Sequence, residues 1–303
     1  MKKKILLIIL SLFVFSQLGY SRGKVGWSIF RKLISPKVKA SATTVSLGVR
    51  GDLSGVFYNP SVLGYNVNRE LFLFSEIGKD SGTSGGFVYG HPLGKSSIAF
   101  GLAYYNAGKM TLSWLDHGVL KDETVTAQQD VLGLVSYGMQ INNFVSVGAT
   151  IKGATSQLFG RASAVAFAGD AGVAVSPHLG TLSLTASIQN VGFASKFVST
   201  ANKLPFSGYA AANYVFFING LDKAYVAPGV DVTYLVDDQK FIPDVGLEIG
   251  YDPFSLSLGY QMNDENSFNI GAIYLRPKYD VAYSFVLGKY LNPAHRISIG
   301  YRF

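Results

Sequence analysis

The sequence predicts an all-β protein: a transmembrane antiparallel up-and-down β-barrel of about 14 strands with an N-terminal luminal plug segment. Three observations carry that prediction. Apolar residues alternate with small or polar ones in run after run, the period of strands with one apolar face. Only 15% of the 303 residues are Asp, Glu, Lys or Arg, although 48% are hydrophobic and 14% aromatic. A soluble surface would carry roughly 25–35% charged residues, so the apolar faces are expected to meet lipid and the polar faces the barrel interior. The third observation is an export signal at the start of the chain.

Residues 1–21 form that signal. Lys2, Lys3 and Lys4 make a positive n-region, Ile5 to Phe15 an apolar stretch broken by Ser11, and Gly19 and Ser21 suit a cleavage site after Ser21. The apolar run is shorter than the roughly 20 residues of a membrane-spanning helix. Removal of the three lysines lowers the formal net charge from +7 to +4, so much of the basicity is targeting. The chain has no Cys, which excludes disulfides, thiolate metal sites and lipid attachment at a cysteine.

Residues 22–68 do not alternate and form the plug or periplasmic segment. Val25 to Ile34 suits a short amphipathic helix. The run Arg22, Lys24, Arg31, Lys32, Lys37 and Lys39 contains no acid and reads as a solvated segment or one that meets anionic headgroups.

Residues 69–303 form the barrel. Runs such as Ser255-Leu256-Ser257-Leu258-Gly259-Tyr260 and Thr181-Leu182-Ser183-Leu184-Thr185-Ala186 place strands near 69–78, 85–92, 96–108, 127–141, 144–158, 162–178, 181–192, 204–219, 224–237, 240–252, 254–263, 266–277, 278–290 and 293–303. Turns such as Ile141-Asn142-Asn143-Phe144 and Tyr251-Asp252-Pro253-Phe254 make neighbours antiparallel. Closure removes the two edges that an open meander would expose. The longest insertion runs from Lys109 to Thr126.

Strand parity nominates Lys152, Asp170, Asp231, Glu248, Arg296 and Arg302 for the lumen, since charges at membrane depth face a protein- or water-filled interior. Asp231 and Glu248 fall on neighbouring strands and are expected to share a cavity. These charges either set the polarity of a pathway or fill the barrel as ion pairs. At the C-terminus Ile297, Ile299, Tyr301 and Phe303 share an apolar face and end in an aromatic residue. That resembles the closing-strand signal of bacterial outer-membrane proteins, which implies the outer membrane as location, and lipid and the barrel-assembly machinery as partners.

A second resemblance lies before the barrel. Gly51-Asp52-Leu53-Ser54-Gly55-Val56-Phe57-Tyr58-Asn59-Pro60-Ser61-Val62-Leu63-Gly64 resembles the start of the PorV/PorQ group of outer-membrane proteins, relatives of the FadL long-chain fatty-acid transporters. Asp52, Ser54, Asn59, Pro60 and Leu63 match the pattern Asp-Asp-x-Ser-x-x-x-x-Asn-Pro-x-x-Leu, with Gly51 at its first Asp, and the strand count agrees with that superfamily's fourteen-stranded barrels. The resemblance implies that this segment folds into the barrel and narrows it. It also implies two roles: passive transport of hydrophobic or small amphipathic molecules, or an accessory barrel of a type IX-like secretion system that docks partner proteins. A purely structural barrel is the third reading. Transport is placed slightly ahead.

Nothing in the sequence predicts an enzyme, a metal site or a cofactor. His91, His117, His178 and His295 fall at predicted turns or loops without metal-ligand spacing. Gly94-Lys95-Ser96 lacks the earlier glycine of a phosphate-binding loop, position 89 being Tyr89. Nucleic acid is not an expected partner, because the remaining charge is scattered.

Overall fold

Every second side chain along the wall faces lipid and its neighbour faces inward, and this alternation closes into a ring of fourteen strands. The structure is a computed structural model and describes residues 27–32, 35, 37, 53–78, 82–178, 181–198, 202–221, 223–262, 266–288 and 293–303. The strands are β1 (Glu70–Gly78), β2 (Thr83–Pro92), β3 (Ser96–Asn106), β4 (Lys109–Asp116), β5 (Val119–Thr126), β6 (Gln128–Gln140), β7 (Val145–Leu158), β8 (Ala162–His178), β9 (Leu182–Ala194), β10 (Ser207–Tyr214), β11 (Phe216–Phe217), β12 (Ala224–Leu235), β13 (Lys240–Tyr251), β14 (Phe254–Gln261), β15 (Ser267–Leu275), β16 (Tyr279–Leu287) and β17 (Ala294–Arg302).

Chain neighbours pair antiparallel, β3 meets β6 across the β4–β5 insertion, and β10 meets β12. The ring closes where β1 pairs with β17, from Glu70 opposite Arg302 to Gly78 opposite Ala294. β11 continues the line of β10 against β12, and β4 and β5 form a separate two-stranded hairpin. The signal at 1–21 and Asp52 lie outside the described residues.

The wall is apolar outward. Leu256 is 64% exposed beside a fully buried Ser257, and Leu258 and Tyr260 repeat the outward orientation. Ile297, Ile299, Tyr301 and Phe303 are exposed on the outer face of the closing strand, while Arg296 and Ser298 are buried inside.

Only part of the inner face is small and polar. On β1–β3 and β6 the inward positions include Phe72, Phe74, Val88, Leu132 and Leu134, which form a packed apolar core with residues of the N-terminal segment. The expectation of a polar inner face therefore fails on this side, where apolar side chains of wall and plug fill the lumen. Elsewhere the inner face is richer in Ser, Thr and charged residues, and even on this side Glu70, Ser97, Asp130 and Ser136 are buried among the apolar ones.

The two rims differ. One has tight turns at 93–95, 141–144, 252–253 and 276–278; the other carries the β4–β5 hairpin and the 195–206 connection. His117 sits in the hairpin turn, whereas His91, His178 and His295 fall within the ends of β2, β8 and β17.

Candidate functional site

The plug begins with two 3-10 turns, η1 (Leu53–Phe57) and η2 (Pro60–Tyr65), tucked inside the barrel toward the short-turn rim. Leu53, Val56, Phe57 and Leu63 are buried in the apolar core against β1, β2, β3 and β6. Phe57 meets Phe74 edge to face at 5.4 Å. Pro60 at the start of η2 suits its position, since its fixed φ favours a helical first residue and no backbone donor is lost there.

Asn59 anchors this turn with four hydrogen bonds. Its Oδ1 accepts from the Ser61 amide at 3.0 Å and from the Ser61 hydroxyl at 2.7 Å, capping η2. Its Nδ2 donates to the carbonyls of Val173 on β8 and Ala186 on β9, each at 3.1 Å. Around it the wall donates to the plug backbone: Ser187 Oγ to the Tyr58 carbonyl at 2.7 Å, Ser146 Oγ to the Ser61 carbonyl, and Ser97 Oγ to the Asn66 carbonyl at 2.9 Å. The inward Ser residues of the barrel thus satisfy a plug that has few backbone bonds of its own.

Two glycines admit the plug to the wall. A Cβ at Gly172 would lie 2.0 Å from Asn59 Oδ1, and one at Gly148 would lie 2.5 Å from the Pro60 carbonyl oxygen. Gly172→Ala is therefore expected to dislodge Asn59 at an overpacking cost of about 1–3 kcal/mol. Hydrogen exchange read by mass spectrometry should show faster exchange across residues 53–65 with the strands unchanged; an unchanged plug would contradict the close approach.

A second described piece, α1 (Ile29–Lys32), packs Trp27, Ile29 and Phe30 into the same core toward the other rim. Trp27 stacks near Phe197 at 5.7 Å, and Arg31 pairs with Asp238 at 3.0 Å.

The charged positions form paired sites inside the wall. Lys152 on β7 pairs with Asp170 on β8, and its Nζ also donates to Asn190 Oδ1 at 3.1 Å. Asp170 Oδ1 accepts the Asn190 amide at 2.8 Å. Asn190 adopts a left-handed conformation (φ 60°) where the β8–β9 register slips between Gly169 and Ala171. This bulge turns both backbone and side chain of Asn190 onto the ion pair. Arg296 pairs with Glu76 across the closing strands, and Arg302 reaches Asp280 at 2.8 Å and Glu70 at 3.5 Å. Lys37 of the N-terminal segment also pairs with Asp280.

Asp231 accepts from the Tyr209 hydroxyl at 2.9 Å, and Glu248 accepts from the Tyr225 hydroxyl. Asp231 lies opposite Asp244, whereas Glu248 lies opposite Ala227 further along β12. The two carboxylates face the lumen four residues apart along β12, and Glu248 lines the recess near the short-turn rim. Sequence parity did not nominate Glu70, Glu76, Asp280, Asn190 or Lys37.

Near the short-turn rim the β12–β16 side leaves a cavity of about 600 Å³, with Lys37, Glu248 and Arg302 beside Phe217, Ile273 and Leu275. A plug pinned to one half of the wall and charge pairs along the other can obstruct the lumen and present an amphipathic recess at one mouth.

Residues 121–301 match the model of the family described as type IX secretion system membrane protein PorP/SprF. This chain belongs to the PorP/SprF family. The match spans the barrel from the β5 hairpin strand to the closing strand, and the segment with Ser54, Asn59, Pro60 and Leu63 lies before it. The likeness of that segment to PorV/PorQ is therefore local, and the family shown is PorP/SprF. A search of curated proteins gives no match. Among solved structures, the Ralstonia pickettii toluene transporter TbuX is similar at 15% identity over 90% of this chain and 100% of that one, with a TM-score of 0.62. The Pseudomonas putida toluene transporter TodX is similar at 12% identity over 82% and 93%, TM-score 0.57. A Pseudomonas aeruginosa FadL homologue is similar at 12% identity over 89% and 98%, TM-score 0.56. These likenesses establish a FadL-like fold. The PorP/SprF-family chain is an outer-membrane β-barrel. Short turns of such barrels lie on the periplasmic side and longer loops outside, which puts the recess at the periplasmic mouth.

Proposed function

We propose that this barrel is a non-enzymatic accessory of type IX secretion that docks partner proteins and does not conduct freely. The observation that carries the reading is the anchored plug: Asn59 ties η2 to both β8 and β9, Ser187 on β9 holds the Tyr58 carbonyl, and packed apolar side chains fill the lumen beside them. A carrier of hydrophobic molecules needs a continuous path, and this packing stands across it. Membership of a family described by its secretion system supports secretion proteins as the partners. Ile297, Ile299, Tyr301 and Phe303 serve as the assembly-machinery signal on the lipid-facing edge.

Passive transport is the second reading. It is favoured by the 600 Å³ recess and by a fold shared with proteins described as toluene transporters. A deletion strain separates the two readings. The docking role predicts a depleted secreted proteome with unchanged uptake of long-chain fatty acids and toluene; normal secretion with impaired uptake would reverse the order.

A further inference from the structure

The outer wall near the long-loop rim carries a feature independent of the plug. β7 and β8 are joined by the three residues 159–161, in which Phe159 (φ 53°) and Gly160 (φ 67°) are both left-handed, and the Arg161 amide donates to the Leu158 carbonyl at 3.0 Å. Such turns favour Asn-Gly, because Asn tolerates positive φ far better than a bulky aromatic. An aromatic ring kept there against its backbone preference points to a use for the ring.

Beside the ring is a cavity of about 310 Å³ lined in part by Glu123, Thr126, Gln129, Gln157 and Arg161. This is at the low end of small-ligand pockets, about 300–1,000 Å³. Gln129 and Gln157 are cross-strand partners on β6 and β7. Their neighbours Asp130 and Ser156 are buried in the lumen, so alternation turns both amides outward. Further down the same strands Val131 and Ile151 are exposed outward, with Thr155 and Gly153 between Gln157 and Ile151. Glu123 reaches from the β4–β5 hairpin to pair with Arg161, which makes the hairpin one wall of the pocket.

We propose that this pocket holds the sugar headgroup of an outer-leaflet glycolipid. Two planar amides, a carboxylate, a guanidinium and a hydroxyl present donors and acceptors that match adjacent sugar hydroxyls. The Phe159 ring offers a flat apolar face to the C–H side of a pyranose. The pocket is continuous with the lipid-facing wall, so acyl chains of the same molecule lie along Val131 and Ile151 below it. A lipid-anchored sugar is the ligand that meets both surfaces at once.

The test uses the full barrel in nanodiscs holding equal amounts of lipid A and phosphatidylethanolamine, with retained lipid counted by native mass spectrometry. Lipid A is expected to be enriched at least about fivefold, equivalent to a modest affinity difference. Phe159→Asn relaxes the turn and so preserves folding, and it should lose the enrichment; Gln157→Leu should lose it as well. The deacylated lipid A disaccharide, added at the same concentration, should fail to displace the lipid. Equal retention of both lipids by the native protein, or undiminished enrichment in both variants, would overturn the site. Displacement by the deacylated sugar would overturn its assignment to a membrane lipid.

Discussion

Asp170→Ala is expected to destabilise the barrel by about 3–5 kcal/mol, the cost of leaving a buried charge without its partner. Among the described residues Lys152 would keep only the neutral Asn190 amide oxygen at 3.1 Å and the face of Phe30 at 5.9 Å. The Asn190 backbone amide would lose its acceptor at the same time. The double replacement Lys152→Met with Asp170→Leu should recover most of the loss, because a well-packed apolar pair often equals a buried ion pair. Urea midpoints in lipid vesicles, followed by heat-modifiable gel migration, measure both. An Asp170→Ala barrel as stable as the native one would show that the lumen admits enough water to solvate Lys152.

The second large effect concerns the plug. Asn59→Ala removes four hydrogen bonds, two of them to carbonyls on neighbouring strands. At about 0.5–1.5 kcal/mol net per bond, retention of η2 should weaken by about 2–6 kcal/mol. Deletion of residues 53–65 removes the obstruction outright. In planar bilayers the native protein is expected to be nearly silent, Asn59→Ala to open intermittently with at least about tenfold more events, and the deletion to conduct steadily. Unchanged conductance in the deletion would show that the plug does not close the pathway.

Most of the barrel was legible in the sequence because lipid on one side and Ser, Thr and Gly on the other impose a strict period of two. The segments read at 254–263 and 162–178 correspond to β14 and β8 almost residue for residue. The segment read at 204–219 is less regular. Tyr214-Val215-Phe216-Phe217-Ile218 is apolar throughout, so alternation could not reveal that β10 ends at Tyr214 and that β11 is a separate pair of residues.

The interior was harder. On β1 the inward Phe72 and Phe74 alternate with outward Leu71 and Leu73, so both faces are greasy, and Glu70 and Glu76 did not stand out. Packing against η1 makes that inner face apolar, and strand period cannot distinguish a protein-filled lumen from lipid. Asn190 depends on a register slip that leaves no local mark in the sequence. Gly148 and Gly172 matter because of what approaches them, and among 34 glycines nothing singles them out.

The arginines of the closing strand bear on how a nascent cylinder recognises correct completion. Glu76 faces Arg296 and Glu70 faces Arg302, so the first and last strands fit as a keyed pair. Misthreading by a single position would drive both guanidinium groups into hydrocarbon, where an arginine costs about 2–4 kcal/mol near the midplane and less toward the edge. The electrostatics of this junction thus proofread insertion: a faulty suture is penalised by the membrane itself before any partner inspects the finished product.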